Sequence, residues 1–166
     1  MCGSNNIIVN CGCCSKGAGG ASSKLGRCML MPTKSNAKAG LGTIVPFSEV
    51  VESDGLTYSS IDGTIRLLKG HTYRIEAFVR FVGSKGNEIW QIYNKTDDTL
   101  VNGSAGHYGR NLEIYSGACP AQSIFTPSSD CDVCIKITAS FDEAEKETTA
   151  LKTVNSSNSY FTVIEI

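Results

Sequence analysis

Apolar and polar side chains alternate most strictly in the middle of the chain. Apolar residues take every second position at Tyr73, Ile75, Ala77, Val79 and Phe81, and Arg74, Glu76 and Arg80 take the other parity. A period of two is typical of a β-strand that buries one face. Turn-forming residues follow at 83–87, and a second β-rich run extends from Ile89 to Tyr93. The pattern predicts a strand, a turn and a strand of an antiparallel β protein.

Similar short runs recur along the rest of the chain and are separated by turn residues such as Asp54-Gly55, Asp62-Gly63 and Lys69-Gly70. Strands are predicted near residues 44–51, 63–68, 71–82, 87–94, 98–102, 110–116, 120–126, 131–140 and 159–166. Many short strands without long helical patterns indicate an all-β sandwich or barrel. We expect a single antiparallel β-sandwich.

The chain divides near residue 43 in composition. Residues 1–43 are rich in Gly, Ser, Ala and Cys and show no sustained periodicity, so they predict an extended N-terminal arm that buries no core by itself. Two short apolar runs in this arm, Ile7–Val9 and Met29–Met31, are candidates to add a strand to a neighbour's surface. Residues 44–166 are predicted to form the sandwich domain.

The last strand is apolar on both faces. Phe161 and Val163 share one face, while Tyr160, Ile164 and Ile166 share the other. A strand with one wet face alternates apolar and polar residues, so both faces of this strand are predicted to be covered. One cover is the opposing sheet, and the other is either a second copy of the chain or a loop of its own. The candidate subunit interface is Tyr160, Thr162, Ile164 and Ile166.

Charge and hydropathy argue against several partners. The 166-residue chain has a net charge of -1 and only 19% charged residues, without the basic excess that a nucleic-acid backbone attracts. No stretch approaches the ~20 apolar residues that a membrane-spanning helix needs. The first 20 residues lack the basic start and apolar run of a signal peptide. We therefore expect no nucleic acid, no membrane insertion and synthesis in the cytoplasm.

Five of the eight cysteines lie near the N-terminus: Cys2, Cys11, Cys13, Cys14 and Cys28. A zinc site usually pairs two Cys-containing knuckles at a fixed separation, and only one compact cluster is present here. Disulfides within or between chains and free thiols packed against a partner remain open alternatives. Metal occupancy of this cluster is unknown from the sequence.

Three further cysteines lie downstream, at Cys119, Cys131 and Cys134. Cys131 and Cys134 have C-x-x-C spacing but lead into a strand, where positions three apart point to opposite faces. A thioredoxin-like activity is therefore not expected. These cysteines are predicted to be buried apolar residues, with a disulfide from Cys119 to Cys131 or Cys134 as the alternative.

No catalytic constellation can be assembled from the sequence. His71 and His107 stand outside any triad or metal spacing, and no nucleophile elbow or phosphate loop is present. The Gly-rich stretch 103–110 is predicted to be an exposed loop, in which His107, Tyr108 and Arg110 are candidate contacts for a glycan or protein. We expect a protein without enzymatic activity and without a cofactor.

Several segments carry a resemblance to a known fold. Lys69–Ala77, Trp90–Ser104, Ser123–Ile137 and the closing strand 159–166 resemble C1q/TNF-like jelly-roll domains. They are most similar to versions in bacteriophage virion proteins and at the tips of spore-surface fibres. The resemblance spans residues 44–166 and implies a homotrimer of jelly rolls with the C-terminal strand close to the threefold axis.

The resemblance implies three alternative functions. The first is a structural virion protein of a bacteriophage, a capsid-decoration or head-fibre knob made in the host cytoplasm and attached to other virion proteins through residues 1–43. The second is a receptor-binding fibre tip that contacts host-surface glycan or protein. The third is a spore or cell-surface appendage subunit cross-linked by cysteines. Our expectation is the first.

Overall fold

The computed structural model describes residues 25–32, 37–82, 86–109, 118–142 and 144–166. Within these ranges the chain forms β-strands joined by turns, one 3-10 turn at Ser156–Asn158 and no α-helix. The strands are β1 Arg27–Pro32, β2 Lys38–Ala39, β3 Phe47–Asp54, β4 Tyr58–Ser59, β5 Thr64–Leu67, β6 Tyr73–Phe78, β7 Asn87–Asn94, β8 Thr99–Leu100, β9 Gly106–Gly109, β10 Ala118–Cys119, β11 Ala121–Phe125, β12 Cys131–Ser140, β13 Lys152–Thr153 and β14 Tyr160–Glu165.

The strands form two packed antiparallel layers. One sheet has the order β10-β9-β7-β12-β5-β4, and β8 pairs with the end of β7. The other contains β11-β6-β14, and the β1–β3 pair lies alongside β14. The consecutive strands β6 and β7 lie in opposite sheets, so the chain crosses the sandwich between them.

Turn chemistry was predicted correctly at three glycines. Gly55, Gly63 and Gly70 have φ values of 75°, 62° and 78°. L-residues with a Cβ rarely adopt this left-handed region, whereas glycine does so at little cost. Each of these glycines follows the Asp or Lys that marked the turn in the sequence.

The core lies between the sheets and contains the alternate apolar residues that the sequence pattern predicts to face inward. Tyr73, Ile75 and Ala77 of β6 are fully buried, as is Trp90 of β7. The indole Nε1 of Trp90 donates a hydrogen bond of 3.0 Å to the carbonyl of Ala77, which links the two sheets through the core. Burying the indole therefore leaves no unpaired donor.

The predicted boundary at residue 43 requires a correction. β1 pairs with β3, and Cys28 and Leu30 of β1 are buried in the core together with Ala37 and Ala39. Arg27–Pro32 therefore completes the chain's own sandwich, so Met29–Met31 adds a strand within the chain and not to a neighbour. Residues 1–24, including Ile7–Val9, lie outside the described residues.

Residues 37–43 are also held by the sandwich. β2 pairs with β13, and the amide of Gly42 donates to the carbonyl of Ile137 at 2.9 Å. Lys152 of β13 forms an ion pair with the fully buried Glu88 of β7 and donates to the carbonyl of Phe141 at 2.9 Å. This pairing ties the segment after β1 to the centre of the larger sheet.

A pair of leucine substitutions tests the corrected boundary. Leu30→Ala should lower the free energy of unfolding by about 2–5 kcal/mol, because it removes a fully buried side chain and leaves a cavity. Leu25→Ala is the matched control, since Leu25 is 54% exposed and should change stability by less than about 0.5 kcal/mol. Urea unfolding monitored by Trp90 fluorescence measures both. Equally small effects would contradict the placement of β1 in the core.

Candidate interaction surface

The outward-facing side chains of β11, β6 and β14 line up across the smaller sheet, because the intervening residues of these strands are buried in the core. The ladders place them in three rows, Ile124–Arg74–Ile164, Gln122–Glu76–Thr162 and Phe78–Tyr160. We call these eight residues the β14 face. Cross-strand neighbours of this kind are close enough for their side chains to touch.

The predicted division of the last strand is confirmed. Tyr160, Thr162 and Ile164 belong to the β14 face, whereas the residues at 161 and 163 are fully buried. Ile164 is 37% exposed and Ile166, which follows β14, is 55% exposed. The role of these four residues as a subunit interface stays a prediction.

A polar network occupies the centre of the face. The Glu76 carboxylate accepts hydrogen bonds from the Tyr160 hydroxyl at 2.5 Å and from Gln122 Nε2 at 2.8 Å. Burial, with the adjacent Glu76 carboxylate, raises the pKa of Tyr160 to about 12, so the hydroxyl keeps its proton and acts as the donor. The Tyr160 ring stacks on Phe78 with 6.2 Å between centroids. Glu76 is therefore held in one orientation.

Arg74 lies in the neighbouring row between two exposed isoleucines. Its side chain is exposed and forms no ion pair with any residue in the described part of the chain. It borders a groove of about 540 Å³ that is lined by Arg74, Ile75, Glu76, Gly103, Ser104, Gln122, Ser123 and Ile124. The face thus combines apolar edges with one cation and one carboxylate.

The start of β1 is attached to the end of β14 next to this face. The Gly26 amide donates to Glu165 Oε2 at 3.0 Å, and the Glu165 amide donates to the Gly26 carbonyl at 2.7 Å. His71 Nδ1 lies 2.6 Å from Glu165 Oε1, and this contact, with the Gly26 amide, lowers the pKa of the Glu165 carboxyl. His71 therefore has a structural partner.

Comparison with known proteins places this geometry in context. No family model matches the chain, and no curated protein matches it. Solved structures do match. Murine APRIL at pH 5.0 has a TM-score of 0.60 and 12% identity over 86% of this chain and 100% of its own. Eiger TNF from S. frugiperda has a TM-score of 0.59 and 6% identity over 86% and 93%, respectively.

The globular domain of zebrafish complement 1qA also matches, with a TM-score of 0.53 and 9% identity over 84% of this chain and 94% of its own. The chain has a C1q/TNF-like jelly-roll fold. The antiparallel jelly-roll sandwich expected from the sequence is thereby confirmed. At these identities the likeness concerns the fold alone, and the bacteriophage setting stays a prediction.

The predicted contact loop takes a different form in the C1q/TNF-like sandwich. Gly106–Gly109 is a strand, β9, between β7 and β10, and Tyr108 packs against the core. A Cβ on Gly106 would lie 2.0 Å from Trp90 Nε1, so glycine permits close packing there and does not mark a flexible loop. His107 is half-buried on the opposite parity, and Arg110 lies outside the described residues.

The downstream cysteines do not come together. Cys119, Cys131 and Cys134 are free thiols, and strands β9 and β7 separate β10 from β12, so the alternative of a Cys119 disulfide is wrong. Cys131 belongs to the core cluster, whereas Cys134 is buried on the other parity, as the strand geometry predicted. Burial raises the pKa of Cys131 to about 11 and that of Cys134 to about 12.

Among the N-terminal cysteines, only Cys28 falls within the described residues. It is a free buried thiol whose pKa is raised to about 11 by burial. Cys2, Cys11, Cys13 and Cys14 lie outside the described ranges. Across the residues that the structure describes, no three His, Cys, Asp or Glu side chains cluster in a way that could hold a metal ion. No helix in these ranges is long and apolar enough to span a membrane.

Sequence reasoning did not place Arg74, Glu76 and Ile124 on the same surface as the outward residues of the last strand. The alternate polar residues of β6 are visible in the sequence, but they indicate only that one face of the strand points toward solvent. Only the β6–β14 ladder shows that this parity shares a surface with Ile164. The sequence alone carries no signal for this surface, because the pairing of β6 with β14 is set by the tertiary structure.

The burial of the thiols predicts their reactivity. After the four cysteines outside the described residues are replaced by serine, an alkylating reagent at neutral pH should modify exposed Cys119 roughly 100-fold faster than Cys28, Cys131 or Cys134. Reagents attack the thiolate, which burial disfavours. Peptide mass spectrometry at successive times measures each rate, and unfolding in urea should equalise them. Equal rates in the native protein would contradict the buried assignments.

Proposed function

We propose that this chain is the subunit of a homotrimeric knob and a non-enzymatic structural protein of a bacteriophage particle, either a capsid decoration or a head fibre. The observation that carries the trimer is the β14 face. Its isoleucines and stacked aromatics lie on the outside of a sheet whose other side is already covered by the core. Exposed isoleucines that share one sheet face with aromatic rings are typical of an interaction site.

A second copy of the chain suits this surface best. Closed homo-oligomers are the commonest soluble assemblies, and a cyclic arrangement buries the same face on every subunit. Support for three subunits comes from the C1q/TNF-like resemblance, which implies a threefold axis near the C-terminal strand. A trimer would also cover the outward apolar residues of β14, so that both apolar faces of this strand would be buried.

Attachment is assigned to the segment before the sandwich. The sequence predicted an anchoring arm over residues 1–43. Because β1 belongs to the folded domain, we now assign the anchoring function to residues 1–24 alone. This segment is rich in Gly, Ser and Cys and includes Lys16 and Lys24 without any acidic residue. We assign it the contact with other virion proteins, which places the knob on the particle surface.

The trimer is tested by a charge in the β14 face. Ile164→Asp should convert the protein from a trimer to a monomer, because an unpaired carboxylate in a desolvated contact costs several kcal/mol. Ile61→Asp is the matched control, since Ile61 is 85% exposed in a turn outside the face. Light scattering should give three times the 17.7 kDa chain mass for the wild type and the control. A wild-type monomer, or a folded Ile164→Asp trimer, would overturn the interface.

The virion assignment is tested by attachment. A chain lacking residues 1–24 should fold and associate like the full chain, because it retains every core residue of the part that the structure describes. It should not bind to particles of the parent phage that lack the knob. Co-sedimentation with such particles compares the two proteins directly. Equal binding by the truncated chain would reject the anchor. Absence of the full-length chain from purified particles would reject the virion assignment in favour of an appendage or a soluble binding protein.

A further inference from the structure

Burying the β14 face in a trimer would also bury two charges. Arg74 and Glu76 are alternate residues of β6 and point outward in adjacent rows. Each copy therefore contributes one cation and one carboxylate to the contact. A charge that loses its water without gaining a partner is strongly unfavourable, so the assembly must pair both groups.

The two groups do not satisfy each other within one chain. No ion pair joins Arg74 to Glu76, although they lie on the same face of the same strand. Glu76 instead accepts from Tyr160 and Gln122, which orient its carboxylate. A carboxylate has about four acceptor positions, so two remain for a further donor. Arg74 has five N–H donors and no ion-pair partner among the described residues.

We propose that Arg74 of each copy pairs with Glu76 of the next copy, so that three intersubunit ion pairs close a ring around the axis. This inference rests on the proposed homotrimer. In a cyclic trimer each contact joins two different patches, and the third contact closes the ring. The donor patch is Arg74 and the acceptor patch is the Glu76 network. Contact between equivalent arginines would instead bring like charges together.

The surrounding side chains favour such a pair. Ile124 and Ile164 flank Arg74 in the same row, at 71% and 37% exposure in the single chain. Once covered by the neighbouring copy, they exclude water from the ion pair, and Coulomb attraction is stronger where water is excluded. The two isoleucines supply apolar contact area, while the ion pairs determine how neighbouring copies are aligned.

A charge exchange tests the ring. Arg74→Glu and Glu76→Arg should each raise the dilution midpoint of the trimer roughly 100-fold, because each single change places like charges in contact. The double variant restores opposite charges with the positions exchanged, and its midpoint should return to within about tenfold of the wild type. Lys69→Glu and Glu147→Arg make the same charge changes at exposed positions outside the face and should leave the midpoint unchanged.

A second double-mutant cycle with milder substitutions keeps the proposal testable if a charge-reversal variant fails to fold. Glu76→Gln preserves side-chain size, and Arg74→Gln removes the charge while keeping a polar side chain. Their effects on the midpoint should be less than additive when combined, because either change alone removes the same pair. Circular dichroism confirms that each variant is folded. Three results would overturn the ring and leave the trimer standing. They are additive effects of the two glutamine changes, folded single exchanges that dissociate like the wild type, and a folded double exchange whose midpoint is no lower than that of the weaker single exchange. A monomeric wild type would instead reject the proposed function itself.

Discussion

The position of β14 between β6 and β1 is the constraint on which the rest of the smaller sheet depends. Its ladder with β6 runs from Tyr160 to Glu165, while its other edge meets the start of β1 through paired hydrogen bonds between Gly26 and Glu165. The last strand thus joins two segments that are distant in sequence. The entropy cost of such non-local pairing is offset by the burial of alternate residues of β14 and β6 in a shared core.

Trp90 links the two sheets and determines which residue can lie beside it. Its indole reaches across the core to the Ala77 carbonyl and leaves so little room beside it that Gly106 cannot carry a side chain. β9 can therefore lie directly over the indole and pair with β7. The same contact explains why a glycine-rich stretch forms part of a sheet and why Tyr108 faces the core.

Function in this molecule belongs to its surfaces more than to its fold. The C1q/TNF-like jelly roll is shared by proteins that are only 6–12% identical to this chain, so the fold alone does not specify a partner. The candidate interaction surface is the β14 face, with its two isoleucines, its stacked Phe78 and Tyr160, and its oriented Glu76. Buried thiols with raised pKa values, by contrast, behave as packing residues and offer no reactive group.

The sequence by itself determined the class of the fold, the inward parity of β6 and β14, the left-handed turn glycines and the opposite faces of Cys131 and Cys134. These features follow from periods and dihedral preferences that act over a few residues. Tertiary structure alone decided that β1 completes the sandwich, that Gly106–Gly109 is a strand, and that Arg74 and Glu76 share a surface with Ile164. Each of these depends on which strands become neighbours, and strand pairing is set by burial over the whole chain, which no local pattern encodes.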